Sequence, residues 1–81
     1  MKPEEVKSLL EQALPDCEIQ VAGGDRNFDL VLVGDVFEGV RPVKRQQLVY
    51  GALNEQIAAG DIHAINMRTF TPEEWQSRSG A

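Results

Sequence analysis

The chain has 81 residues, of which 42% are hydrophobic and 26% are charged, and its formal net charge is −5. This length predicts a single globular domain over residues 1–81, because a second core could not be buried by what remains. No apolar run approaches the roughly 20 residues that span a bilayer, and the chain start lacks the apolar segment of a signal peptide, so we expect a cytoplasmic protein. The negative charge disfavours unspecific nucleic-acid binding, which rests on neutralisation of phosphates by Lys and Arg.

The first part of the chain predicts a helix followed by a β-hairpin. Residues 3–14 carry apolar side chains at helical spacing, and Pro15 ends that pattern. Alternating apolar residues over 17–22 and a more continuous apolar run over 28–33 predict two strands, of which the second is central. Residues 23–27 connect the two strands as a five-residue turn.

Cys17 is the only cysteine in the sequence. A lone cysteine excludes an internal disulfide, and it also excludes a multi-cysteine metal site made by this chain alone. Cys17 shares its place in the strand alternation with Ile19 and Val21. We therefore interpret it as a small buried hydrophobic residue.

The longest helical pattern begins at Pro42 and ends before Gly60. Proline suits the first helical position, and glycine suits the left-handed residue just past a helix end. The apolar stripe predicted for this helix consists of Leu48, Val49, Ala52, Leu53, Ile57 and Ala58.

Three basic residues at the start of this helix, Arg41, Lys44 and Arg45, add positive charge where the helix dipole is already positive. We predict that they bind an anion or an acidic partner. The alternative is a solvated helix end whose cations pair with Asp35 or Glu38. If the three residues bind DNA, the binding is weak, with a log-log salt slope near −2.7 from about −0.9 per phosphate contact.

The last part of the chain predicts a strand over residues 62–70 and then a short helix. Thr71 is the predicted N-cap of this helix, and Glu74 follows three residues later, as in a capping box. We expect Trp75 to fold back onto the body of the domain and residues 77–81 to form a frayed tail.

The predicted order places the ends of the strands. The second strand, the long helix and the third strand form a crossover that makes the two strands parallel neighbours. The turn at residues 23–27 and His63 then lie at the same edge of the sheet, within reach of one small site. Cys17 lies at the opposite edge, roughly 15 to 20 Å away at about 3.3 Å per residue, so Cys17 and His63 are not expected to be co-ligands.

The residues offer little support for catalysis. Nucleophilic mechanisms need a base beside the nucleophile, and the only histidine is predicted to lie far from the only cysteine. Neither common glycine-rich phosphate loop occurs in the sequence. We therefore expect a protein that is not an enzyme. His63 taken alone is more often a polar rim residue than a metal ligand.

A set of short motifs extends over nearly the whole chain. Its members are Phe37, Gly39, Val43, Lys44, Arg45, Val49, Tyr50, His63-Ala64 and Thr71-Pro72-Glu73-Glu74-Trp75. Together they resemble the BolA family, and in particular its short bacterial branch. The resemblance implies an α+β fold of the class II KH-like type, with α-β-β-α-β-α order and a three-stranded mixed sheet that has helices packed on one face.

The resemblance also implies a function and partners. It implies a non-enzymatic adaptor that binds a monothiol glutaredoxin and shares a 2Fe-2S cluster with that partner and glutathione, in iron-sulfur or iron homeostasis. The isolated protein would hold no cofactor. The alternative is a nucleic-acid-binding transcriptional regulator with a KH-like fold, and a third interpretation is an interaction module with no cofactor. Alone, the chain is expected to be a monomer, with a homodimer as the other option.

The resemblance assigns candidate ligands at the edge of the sheet. The family's cluster-binding histidine corresponds to His63, whereas its second ligand, a Cys or His in the hairpin turn, has no direct counterpart. Asn27 holds the position where close relatives have histidine, and Asp25 is the only conventional ligand type in the turn. Asp25 could supply a carboxylate, water or the partner could complete the site, or the protein could dock a glutaredoxin without stable cluster sharing.

Overall fold

The computed structural model describes residues 1–79, and the side chains of residues 1–78. The elements in chain order are α1 (Pro3–Ala13), β1 (Glu18–Gly24), β2 (Asn27–Val33), a short 3-10 turn (Asp35–Phe37), α2 (Pro42–Ala58), β3 (Ala64–Phe70) and α3 (Pro72–Ser79). This is the α+β order that the sequence predicts. Within the described residues, no helix combines the length and the apolar character needed to cross a membrane.

The three strands form one mixed sheet in the order β1-β2-β3. β1 and β2 are antiparallel, and β2 and β3 are parallel. The central position of β2 and the parallel crossover through α2 therefore confirm the predicted topology.

The hairpin turn is tighter than predicted. Gly24 pairs with Asn27, so Asp25 and Arg26 alone form the turn, rather than the five residues 23–27. Asp25 adopts a positive φ of 59°, a conformation that Asp and Asn tolerate better than most residues. Gly23 lies inside β1 with a φ of 100°, and a Cβ there would collide with the Asn27 carbonyl oxygen. The two glycines that suggested a long turn thus belong to the strand.

The core lies between one face of the sheet and the helices α1 and α2. Its buried members are Val6, Leu10, Ile19, Phe28, Leu30, Leu32, Phe37, Val49, Leu53 and Ile62. On the strands these residues alternate with exposed side chains such as Gln20, Asp29, Asn66 and Arg68. The opposite face of the sheet is therefore mostly polar, as expected when one face packs against helices and the other meets water.

The buried stripe of α2 differs from the predicted one. Val49 and Leu53 are buried, but Arg45 occupies the next position on their face. Leu48 is 40% exposed, and Ala58 is exposed as well. Leu48 precedes Val49 by one helical step of about 100°, and that rotation carries it out of the core.

The C-terminal helix extends through residues that the sequence predicts to be frayed. α3 continues to Ser79, so residues 77–79 are helical, whereas residues 80–81 of the predicted tail lie outside the described part of the chain. Trp75 folds back as expected, and its ring lies 5.2 Å from that of Phe70 in an edge-to-face arrangement. The Arg78 guanidinium lies over the same Trp75 ring at 3.8 Å.

Candidate functional site

Backbone hydrogen bonds join His63 directly to the hairpin turn. The His63 N–H donates to the Arg26 carbonyl at 2.8 Å, and the Ala64 N–H donates to the same oxygen at 3.2 Å. One step further on, Asn27 and Ala64 are register partners at the start of β2 and β3. The predicted proximity of His63 and the turn is therefore confirmed.

The connection from α2 to β3 fixes the position of His63. Gly60 has a φ of 83° just past the end of α2, as the sequence predicts for a helix-ending glycine. Ile62 is 2% exposed and anchors the connection in the core. His63 follows this buried residue and is itself exposed. An anchored backbone thus presents the imidazole to solvent at the rim of the sheet.

Asp25 and Asn27 flank Arg26, the turn residue whose carbonyl accepts the hydrogen bond from His63. Both side chains are exposed, like that of His63. Within residues 1–79, no group of three or more His, Cys, Asp and Glu side chains is placed to hold a metal ion. The chain therefore offers one imidazole, one carboxylate and one amide at this rim, which we call the His63 rim.

This donor set fits a 2Fe-2S cluster only in part. Such clusters are held by Cys thiolates, with histidine as a ligand in some centres. His63 is a suitable ligand, Asp25 is an unusual one, and an amide such as that of Asn27 is a poor one. The His63 rim thus contains one good ligand and one unusual ligand for such a cluster, fewer than the four that it needs.

Cys17 lies at the other end of the sheet. Glu18, the next residue, pairs with Val33 at the end of β2, so Cys17 is separated from His63 by the length of a strand, roughly 20 Å at about 3.3 Å per residue. Burial, together with the nearby Asp16 carboxylate, raises the pKa of the Cys17 thiol. Cys17 is half-buried, rather than buried as predicted, and packs against the core. These observations confirm that Cys17 and His63 lie at opposite edges of the sheet.

Arg45 is buried and fully engaged, which corrects the prediction that it belongs to a free basic face. It is 8% exposed. Its Nε donates to the Val40 carbonyl at 2.7 Å, and its Nη1 approaches the Thr69 carbonyl at 3.4 Å. The guanidinium also lies 5.7 Å from the centre of the Phe37 ring. Arg45 therefore fastens the start of α2 to the end of β3.

Glu74 completes this arrangement from α3. Its Oε1 and Oε2 accept hydrogen bonds from Nη1 and Nη2 of Arg45 at 2.8 and 3.4 Å. Oε1 also accepts from the Thr71 N–H at 2.8 Å, and the Glu74 N–H donates to Thr71 Oγ1 at 3.1 Å. This reciprocal pattern is the predicted capping box. The hydrogen bonds from Arg45, and then the one from Thr71, lower the pKa of Glu74.

The sequence contains a signal for the burial of Arg45 but none for its pairing with Glu74. Arg45, Val49 and Leu53 recur every four residues, which places the arginine on the buried face of α2. Its partner Glu74 lies 29 residues further along the chain, and no local pattern connects two residues so far apart. We refer to the bonded pair as the Arg45–Glu74 clasp.

Arg41 and Lys44 remain exposed at the start of α2. The first turn of this helix contains no acidic residue, and the ion pair found in the described part of the chain joins Arg45 to Glu74 rather than a basic residue to Asp35 or Glu38. Since α2 spans 17 residues, about 25 Å at 1.5 Å per residue separate these two cations from the His63 rim. The predicted site residues thus form two separate surfaces.

Comparisons with known proteins agree with this fold. A sequence profile of the BolA-like protein family matches residues 6–74. The chain is 43% identical over 75 residues to the acid stress protein IbaG of Escherichia coli K12, covering 93% of this chain and 89% of that protein.

Solved structures lead to the same family. A BolA homologue from Coxiella burnetii superposes with a TM-score of 0.83 at 30% identity, covering 94% of this chain and 97% of the other. Yeast Fra2 gives a TM-score of 0.75 at 30% identity, with 93% and 84% covered. The profile match, the identity to IbaG and the shared fold lead to one conclusion: the chain belongs to the BolA-like protein family.

Proposed function

We propose that this protein is a non-enzymatic adaptor that binds a monothiol glutaredoxin in the cytoplasm and contributes to sharing a 2Fe-2S cluster. The observation that carries the proposal is the His63 rim, where an anchored backbone holds an exposed imidazole against the hairpin turn. The similarity to an acid stress protein fits a role under stress conditions.

The chain's own contribution is a single coordinating side chain on a fixed support. His63 would hold one position of the cluster, and Asp25 is the neighbouring oxygen donor that could add a second. When bound, the cluster would supply electron-transfer or iron-transfer chemistry. Because Cys17 lies at the far end of the sheet, the thiolate ligands have to come from the glutaredoxin and its glutathione.

Arg41 and Lys44 suit a separate role in the first encounter. Both cations are exposed beside the positive end of the α2 dipole, so together they attract an acidic surface. Charges of this kind act mainly on the association rate. Replacing both residues by Gln is therefore expected to slow association with the glutaredoxin and to flatten its dependence on salt.

The test is to mix the purified chain with a monothiol glutaredoxin, glutathione, iron and sulfide under anaerobic conditions. Size-exclusion chromatography with light scattering would report the mass of any complex, and visible absorption would report a cluster. We expect a heterodimer that carries visible absorbance. A glutaredoxin that retains its own cluster while this chain elutes separately would contradict the proposal.

A further inference from the structure

The exposed side of α2 contains a glycine for which the described part of the chain gives no packing reason. Gly51 lies in the interior of the helix, and a Cβ built on it would meet no atom within 4 Å. Glycine weakens a helix interior. It is useful there when another backbone or side chain has to approach closely, and within residues 1–79 no such neighbour exists.

Gly51 belongs to a stripe of residues whose spacing along the helix is the same in both directions. The stripe consists of six residues at spacings of 3, 4, 3, 4 and 3, namely Arg41, Lys44, Leu48, Gly51, Glu55 and Ala58. All six are exposed. The neighbouring face of α2, which carries Arg45, Val49 and Leu53 at intervals of four residues, is buried. Leu48 is 40% exposed despite its apolar side chain. The centre of the stripe lies between Val49 and Tyr50.

The charges of this stripe interact unfavourably with the dipole of α2. Arg41 and Lys44 lie at the positive end of the α2 dipole, and its first turn has no acidic residue. Glu55 lies in the last turn, near the negative end, and that turn has no basic residue. Each charge is unfavourable for its own helix. In an antiparallel pair of such helices, the basic residues of each copy lie beside the negative dipole end and Glu55 of the other, and the interactions at both ends become favourable.

We propose that this face of α2 binds a second copy of the chain in an antiparallel, two-fold symmetric dimer. Reversal about the centre of the stripe places Lys44 opposite Glu55 and Leu48 opposite Gly51, and symmetry repeats both pairs. Leu48 of one copy then fills the space above Gly51 of the other, as a knob fills a hole. The stripe as a whole suits a second copy because it carries both signs in complementary order, whereas the acidic surface invoked for the first encounter with the glutaredoxin would use only its two cations.

Sedimentation equilibrium of the isolated protein over a wide concentration range tests this surface. We expect a monomer–dimer equilibrium that weakens with salt. Lys44→Glu and Glu55→Lys, each alone, are expected to lower the association constant about tenfold, because each creates two like-charge pairs. The double variant restores both pairs and is expected to return the constant to near the wild-type value. Lys7→Glu makes the same charge change as Lys44→Glu on an exposed residue of α1 and serves as the matched control.

Gly51→Gln provides a second and independent test. Glutamine is a good helix former, and open space surrounds the position, so the variant is expected to fold and to lose self-association as its side chain fills the hole. A wild-type protein that stays monomeric at every concentration would overturn the proposal. So would a double charge variant as weak as the single ones, or a Gly51→Gln variant that dimerises normally.

Discussion

The two ends of the sheet use their polar side chains in opposite ways. Where β2 and β3 begin, the backbone of His63 is bonded to the turn while its side chain is exposed. Where these strands end, the side chains of Arg45 and Glu74 are bonded to each other and to the backbone. The first end presents an exposed imidazole on a fixed backbone, and the second joins α2, β3 and α3 through side-chain hydrogen bonds.

This contrast shows that a cluster of charged residues in a sequence is not necessarily a charged surface that a partner can bind. Arg41, Lys44 and Arg45 look equivalent as a basic cluster, yet the structure buries Arg45 and leaves the other two exposed. The difference lies in the helix face that each residue occupies. Substitutions at one end at a time therefore test the distinction.

The largest effect is expected at the clasp. Arg45→Ala removes a buried side chain with bonds to Val40, Thr69 and Glu74, and we expect it to lower the free energy of unfolding by about 2 to 4 kcal/mol. Lys44→Ala, one residue earlier on the exposed side, is the matched control and is expected to change it by less than about 0.5 kcal/mol. Urea unfolding measures both, at a concentration low enough to keep the protein monomeric. Equal effects would show that Arg45 is not a structural residue.

A smaller effect of opposite sign is expected midway between the two ends. Gly51→Ala adds a methyl group in open space and is expected to raise the free energy of unfolding of the monomer by about 1 kcal/mol through helix propensity. Urea unfolding at a concentration low enough to keep the protein monomeric measures this change. A destabilised Gly51→Ala variant would mean that Gly51 has an intramolecular role.

Acid should weaken the clasp end selectively. Because the pKa of Glu74 is lowered in the folded protein, its contribution to stability is present above the ordinary pKa of 4.5 and is lost as pH falls through the lower folded value. Glu74→Gln lacks this contribution at every pH. The difference in urea midpoint between wild type and Glu74→Gln is therefore expected to shrink on acidification below pH 4.5. A constant difference would contradict the assignment of the clasp.

The sequence predicts the topology of this protein because its strands and helices have clear periodicity. Local patterns were sufficient for the helix end at Gly60, the capping box at Thr71 and the approach of His63 to the turn. They were insufficient for the hairpin, because a glycine with positive φ such as Gly23 is compatible with a long turn as well as with a strand. They also missed the pairing of Arg45 with Glu74, because the two residues lie 29 positions apart.

The smallest expected effect concerns DNA. With Arg45 engaged, Arg41 and Lys44 are the members of the basic cluster left for phosphates, so the expected log-log salt slope falls to about −1.8, from about −0.9 per contact. Fluorescence anisotropy with labelled duplex DNA at several salt concentrations measures this slope. Tight, sequence-selective binding at physiological salt would favour the transcriptional regulator instead.

The role of the His63 rim is tested most directly by visible circular dichroism of the complex reconstituted with a monothiol glutaredoxin. His63→Ala is expected to keep the fold, because the side chain is exposed, and to lose the mixed-ligand spectrum. Asn27→His is expected to strengthen the complex by adding a second imidazole at the rim, and Asp25→Ala is expected to weaken it only if the carboxylate is a ligand. Gln12→Ala, an exposed position on α1, is the control. A His63→Ala complex with the wild-type spectrum would contradict the proposed role of this histidine.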